Sequence, residues 1–167
     1  MLTETEKAWL AGFWDGEGSI TIFTHTEKNG RKKVCPTINV TNTHEGVIAH
    51  VVTLLDKLGT SFSILEKKND TDKWKNAYTV GTRNMQYIQT VLTAIQPYLV
   101  CKQAQCTLVL RYVNKKLQQR ESNQRPRYDD EDFELQEECQ SLNKRGKIPV
   151  SSTTTRDAED SSSDDIV

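Results

Sequence analysis

Residues 10–18 read Leu-Ala-Gly-Phe-Trp-Asp-Gly-Glu-Gly, and no other stretch so narrows what this chain can fold into. Thr3 with Glu6 three residues later is a capping-box pair, and Ala8, Trp9, Leu10, Phe13 and Trp14 follow at helical spacings. The pattern predicts a helix over residues 4–15. Ala8, Gly12 and Gly16 recur every four residues, which leaves one face of that helix almost bare of side chains. Gly costs about 1 kcal/mol relative to Ala inside a helix, so Gly12 requires a packing reason, and close approach of a second helix supplies one. Beyond the helix, Gly16 and Gly18 relieve the backbone around Glu17 and leave the Gly16 carbonyl accessible. Such carboxylate and carbonyl oxygens suit Mg²⁺ better than Zn²⁺. The bare tetrapeptide Asp-Gly-Glu-Gly is better read as a Gly-rich helix end with two solvated acids, so its context decides.

Part of that context is charge. The chain of 167 residues has a net charge of −1, which conceals a segregation. Residues 1–128 hold 18 Lys/Arg against 11 Asp/Glu, while residues 129–138 carry seven acids and no base. The body is therefore basic enough to attract a polyanion. The length suits one domain with a usable core. No apolar run is long enough to span a bilayer and no basic-then-apolar leader opens the chain, so the expectation is an intracellular protein of the cytoplasm or an organelle, with no membrane partner. Cys35, Cys101, Cys106 and Cys139 lack paired C-x-x-C spacing, and His25, His44 and His50 do not complete a ligand set with them. The cysteines are expected to be reduced and mostly in the core.

Residues 19–25 and 37–41 alternate polar and apolar as half-buried strands do, with a polar turn at 27–33, and so predict a hairpin. Val47, Ile48, Val51, Val52, Leu54, Leu55 and Leu58 mark an amphipathic helix closed by Gly59. Residues 61–66 and 77–82 predict a second strand pair around a Lys- and Asp-rich loop at 67–76. A helix at 85–95 is stopped by Pro97, and another is expected over 98–117. The order is helix, two strands, helix, two strands, helix, helix: an α+β domain with a four-stranded antiparallel sheet. Residues 118–150 read as a polar basic linker followed by a short acidic helix at 130–142, and 151–167 as a disordered acidic Ser/Thr-rich tail.

The 10–18 stretch resembles the signature of the LAGLIDADG homing endonucleases, in which a Leu-Ala-Gly-hydrophobic-hydrophobic-Asp-small-acid-Gly string packs two helices together and delivers metal-binding acids to DNA. All nine positions fit. The resemblance implies an αββαββα core, residues 1–117, whose sheet forms a saddle along the DNA major groove. A two-stranded ribbon fits that groove, where each base pair displays its own pattern of donors and acceptors. Outward residues expected to contact DNA are Thr21, His25, Lys28, Arg31, Lys32 and Lys33 in the first hairpin, with Lys67, Lys68, Lys73, Lys75 and Arg83 around the second. An ordinary solvated basic loop is the alternative at each of them. Asn143, Lys144, Arg145 and Lys147 would touch backbone phosphates, as a similar segment does in related dimers, which positions the protein without specifying sequence.

Only one copy of the motif is present, whereas cutting both strands of a duplex requires two hydrolytic centres. The resemblance therefore implies a homodimer about a two-fold axis between motif helices, with Ala8, Ala11, Gly12 and Asp15 at the interface and a long, roughly palindromic target. It also implies Mg²⁺, with Mn²⁺ able to substitute, held by Glu17 and the Gly16 carbonyl. Residues 96–105, Gln-Pro-Tyr-Leu-Val-Cys-Lys-Gln-Ala-Gln, resemble the stretch where the family keeps an active-site lysine, and Lys102 is the matching position. Thr43 or Asn42 falls where a further polar residue organises water near the metal, although a Gln that some members carry there is absent. Asp15 is expected to be structural at the helix junction, and His44 to cap a helix rather than act as a base. The implied activity is metal-dependent cleavage of double-stranded DNA in the service of intron or intein homing. The alternatives are an RNA-splicing maturase, a non-cleaving DNA-binding protein and a purely structural dimerisation domain. RNA would be a partner only in the first of these.

Overall fold

The computed structural model describes residues 1–68, 75–122 and 128–144. Helix α1 (Glu4–Glu17) starts where the capping box places it: the Thr3 hydroxyl accepts from the Glu6 N–H at 3.3 Å and Glu6 accepts from the Thr3 N–H at 2.8 Å. It runs two residues beyond the expected end at 15 and passes without a loop into β1 (Gly18–Thr26). The junction depends on Gly18, because a Cβ there would lie 2.4 Å from the Trp14 ring. Glycine is required by that close approach and not by its dihedrals, since φ is −89°. Trp14 is fully buried, and its indole N–H reaches the Ser19 carbonyl at 3.4 Å.

Strand β1 pairs with β2 (Lys32–Asn42), and β3 (Ser63–Lys67) pairs with β4 (Ala77–Thr82). Antiparallel pairing of β2 with β4 joins the two hairpins into one sheet of order β1-β2-β4-β3. Strand β2 begins five residues earlier than the alternation at 37–41 suggests. Its Pro36 is tolerated because β4 pairs only from Ile38 onward, so that edge of β2 has no neighbouring strand at residue 36. Ile20, Ile22, Val34, Ile38, Val40 and Val80 turn to one face and are buried against the helices. Among the described residues no helix covers the opposite face of the sheet.

Helices α2 (Glu45–Lys57), α3 (Met85–Ile95), α4 (Gln103–Glu121) and α5 (Asp130–Asn143) complete the α+β domain. Helix α4 starts later than expected because Gln96–Tyr98 forms a separate 3₁₀ turn around Pro97. Tyr112 of α4 is fully buried and donates its hydroxyl to the Val34 carbonyl at 2.7 Å, tying that helix to the sheet. Helix α4 also continues past residue 117, and α5 places Leu135 and Cys139 in the same core as α1 and the sheet. Cys106 and Cys139 are core thiols, whereas Cys35 is half-buried and Cys101 is exposed, and all four are free. No helix among the described residues is long and apolar enough to cross a membrane.

Between α1 and α2, Lys57 donates to Glu6 at 2.6 Å. That hydrogen bond, reinforced by the Thr3 N–H, lowers the Glu6 pKa to about 2 from 4.5. A carboxyl depressed on folding stabilises the fold above its unfolded pKa and loses that contribution as pH falls through its folded value. The urea midpoint of the wild type should exceed that of Glu6→Gln at neutral pH, and the gap should close between pH 4.5 and about 2.

Candidate functional site

Helix α1 divides into two faces. Leu10, Ala11 and Trp14 are buried, while Ala8, Gly12, Gly16 and Glu17 are exposed, and a Cβ added at Gly12 or Gly16 would meet nothing within 4 Å among the described residues. Among the described residues nothing therefore requires glycine at 12 or 16. Ala11, expected at the dimer interface with Ala8 and Gly12, instead packs into the protomer's own core on the Leu10 and Trp14 stripe. Trp9 borders the bare face, stacked on Phe13 at 5.3 Å and edge-on to His50 of α2 at 4.6 Å.

Asp15, also expected at that interface, points its carboxylate toward the turn before α4. It accepts from the Val100 N–H at 2.6 Å and from the Lys102 N–H at 2.9 Å. The Lys102 ammonium in turn donates to the Asp15 carbonyl. Asp15 thus docks residues 99–102 onto the end of α1, the structural position at the helix junction. Replacing it with Ala leaves two backbone donors without their acceptor. The variant should lose roughly 1–3 kcal/mol in urea unfolding and show faster amide exchange at Val100 and Lys102.

This docking brings together residues far apart in sequence. Gly16, Glu17, Gly18, Ser19, Thr21, Lys102 and Asn143 line one cavity of about 470 Å³. Glu17 and Lys102, an acid and a cation predicted separately, share it. Asn143 was expected to contact phosphate; here its amide donates to the Ile20 carbonyl at 3.1 Å and closes one side of the cavity. Asn42 and Thr43 are not among the lining residues. The Asn42 carboxamide accepts from the His44 N–H at 2.9 Å, Thr43 is exposed, and His44 caps α2 through its ring nitrogen and the Val47 N–H. Among the described residues no three His, Cys, Asp or Glu side chains gather to ligate a metal. The oxygens of Glu17 and Gly16 fit a hard divalent cation in chemistry, as part of a coordination shell.

The open face of the sheet adjoins this cavity through Ser19 and Thr21. Strand register places Thr21 beside Thr37, Phe23 beside Cys35 and His25 beside Lys33. On the other half Leu65 lies beside Thr79 and Ser63 beside Gly81. Arg83 sits over the Phe23 ring at 5.1 Å. Basic residues collect at the two ends of the face: His25, Lys28, Arg31 and Lys32 are exposed at the first turn, and Lys67, Lys68 and Lys75 at the second. Lys33 pairs with Glu27 at 2.5 Å, which raises the lysine pKa and lowers that of the glutamate, so part of its charge is locally neutralised. Lys144 is exposed at the end of α5, while Lys73, Arg145 and Lys147 lie outside the described residues.

Between those ends is a trough of about 410 Å³ lined by Thr37, Asn39, Ser63, Leu65, Thr79, Gly81, Thr82 and Arg83. Of these the sequence reading singled out only Arg83. The others are neutral, so a search for basic residues passes over them. Alternation along each strand indicates their parity, but only the register across four strands collects them in one trough.

The family model described as LAGLIDADG-like domain matches residues 4–96, more than half of the chain. Among solved structures, the homing endonuclease I-CvuI in complex with the I-CreI target is 24% identical, with a TM-score of 0.65 over 87% of this chain and 85% of that one. The archaeal intron-encoded homing endonuclease I-Vdi141I, complexed with DNA, is 14% identical, with a TM-score of 0.64 over 86% of this chain and 87% of that one. The group I intron-encoded homing endonuclease I-CeuI, also complexed with DNA, is 24% identical, with a TM-score of 0.55 over 73% and 60%. No curated protein matches the chain closely enough in sequence to count as a relative. The signature on α1 and the family match across both hairpins place this chain in the LAGLIDADG-like domain family, and it shares the α+β fold of homing endonucleases of known structure.

Proposed function

We propose that the chain is a site-specific endonuclease that hydrolyses double-stranded DNA with Mg²⁺, or Mn²⁺ in its place, at a long near-palindromic target, and so promotes homing of its host intron or intein. The observation that carries this reading is the shared cavity of Glu17 and Lys102 opening beside the open face of the sheet. A duplex laid along that face has its backbone near the cavity.

Each residue has a distinct task. Glu17, exposed at the end of α1, and the Gly16 carbonyl would hold the divalent ion. Once bound, such an ion lowers the pKa of an attacking water and stabilises charge on phosphate oxygens. Lys102 brings a positive charge to the same cavity, where it offsets the charge that builds up at phosphorus. Asp15 sets the position of Lys102 through the backbone of residues 99–102. Basic ends of the sheet hold the duplex by its phosphates.

One protomer supplies one such acid, and double-strand cleavage requires two. The bare face of Ala8, Gly12 and Gly16 supports pairing with a second copy, since neighbouring backbone could approach it closely. Structures of the homing endonuclease I-CvuI bound to DNA, in 2 mM Mg²⁺ with the DNA not cleaved and in 2 mM Ca²⁺, support both the partner and the use of a divalent ion. The test is selection on a randomised, partly palindromic DNA library with the wild-type chain in Mg²⁺. Discrete double-strand cuts at a common sequence establish the nuclease. Specific DNA binding without cutting replaces it with a non-cleaving binder, and RNA splicing activity without DNA cutting replaces it with a maturase.

A further inference from the structure

We propose that Asn39 is a specificity-determining residue that reads an adenine in the major groove, at one position in each half-site of the target. The inference rests on the proposed DNA-binding reading and goes beyond it by naming one side chain and one base. Asn39 lies near the middle of β2, on the open face of the sheet. Register places it in a row with Ser19 of β1 and Gly81 of β4, and Gly81 in turn lies opposite Ser63 of β3. In a row of two serines and a glycine, it is the one side chain with both length and a full donor and acceptor pair.

The neighbouring threonine hydroxyls on this face are already engaged. Thr41 and Thr79 hydrogen-bond each other at 2.8 Å, and the Thr37 hydroxyl donates to the Thr82 carbonyl at 3.2 Å. Thr21 contacts the Ile22 carbonyl at 3.4 Å. The Asn39 carboxamide, by contrast, has no hydrogen-bond partner among the described residues and lines the trough. Its space is kept by Gly81, where an added Cβ would come within 2.9 Å of the Asn39 Cβ. Any side chain at 81 would force one of the two strands, or Asn39 itself, to shift.

The chemistry then selects the base. A carboxamide presents one acceptor and one donor side by side, which match the N6 amino group and N7 of adenine. Guanine presents two acceptors at the same positions, so the Asn39 oxygen would face O6 without a shared proton. Lysines and arginines at the ends of the face are suited to phosphates, whereas the neutral middle of the trough is suited to base edges. Through Ser19 the row also touches the Glu17 cavity, which places the read base on the inner side of the half-site.

The test is a binding selection on randomised duplex DNA without Mg²⁺, using the wild type, Asn39→Ala and Gly81→Ala. Wild type should prefer adenine at one position in each half-site, and an A·T to G·C change there should weaken binding by about tenfold or more. Asn39→Ala should erase that preference while binding the G·C-substituted site about as well as wild type does, which also shows that the variant is folded. Gly81→Ala should weaken the preference at the same position and leave the other positions alone. A base profile identical in wild type and Asn39→Ala, with selective binding intact, overturns the role of Asn39 and leaves the endonuclease reading standing. A wild type that selects no sequence overturns both.

Discussion

Glu17→Gln should lower the rate of DNA cleavage by about a thousandfold or more, on the order of 4 kcal/mol of transition-state stabilisation, while specific DNA binding persists. Gln keeps the size and shape of the side chain but loses the charge that holds a divalent cation. Glu17 is exposed and accepts no hydrogen bond among the described residues, so the fold does not depend on it. Removing a negative charge from the surface proposed to meet the DNA backbone should leave affinity equal or slightly higher. Cleavage assays and gel-shift titrations on one selected site separate the two effects. Undiminished cutting by the variant would remove Glu17 from the mechanism, and loss of binding together with cutting would make it a binding residue.

The second large effect concerns stability and lies far from the cavity. Lys116 of α4 and Asp132 of α5 are both fully buried and form an ion pair between the helices. Lys115 approaches the other Asp132 oxygen at 3.3 Å, and the Lys116 ammonium lies 5.7 Å from the Tyr112 ring centre and 5.3 Å from that of Tyr128. Asp132 also accepts from the Asp129 N–H at 3.0 Å in the capping box of α5. Asp132→Ala removes the buried carboxylate that pairs with the Lys116 ammonium, and breaking a buried pair in this way typically costs about 3–5 kcal/mol. An unfolding midpoint shifted by that much is the expected result. The double variant Lys116→Met with Asp132→Leu should recover most of the loss, because an apolar pair of similar volume avoids the desolvation of two charges. If the double variant is as unstable as the single one, the helices depend on the charges themselves.

Much of the fold was legible because its signals are local. The Thr3 and Glu6 capping box, the strand alternation at 19–25 and Pro97 each act within a few residues, and the structure carries all three at the expected places. Boundaries moved where a distant group intervened. Strand β2 lengthened because β1 supplies a partner for residues 32–36, and α1 ran on to Glu17 because Gly18 permits the chain to turn closely against Trp14. Ala11 was put by the family resemblance at the dimer interface with Ala8 and Gly12. Its position on the stripe of Leu10 and Trp14 decides otherwise.

The candidate site divides in the same way. Glu17 and Lys102 could be marked individually by residue type and motif, but 85 positions separate Asp15 from Val100, and only packing makes Asp15 the anchor of the lysine's backbone. Asn39 carries no charge and no motif, so nothing in the linear pattern distinguishes it from any polar strand residue. The Lys116 and Asp132 pair was equally hidden, since nothing in the linear pattern links a lysine of one helix to an aspartate of the next. The sequence by itself determined the element order, the motif helix and the identity of the chemical groups, because these follow from short-range periodicity and side-chain chemistry. Tertiary structure alone decided which groups meet and which charges are buried, because hydrogen bonds, ion pairs and desolvation act through distances of a few ångströms that strand register and helix docking set.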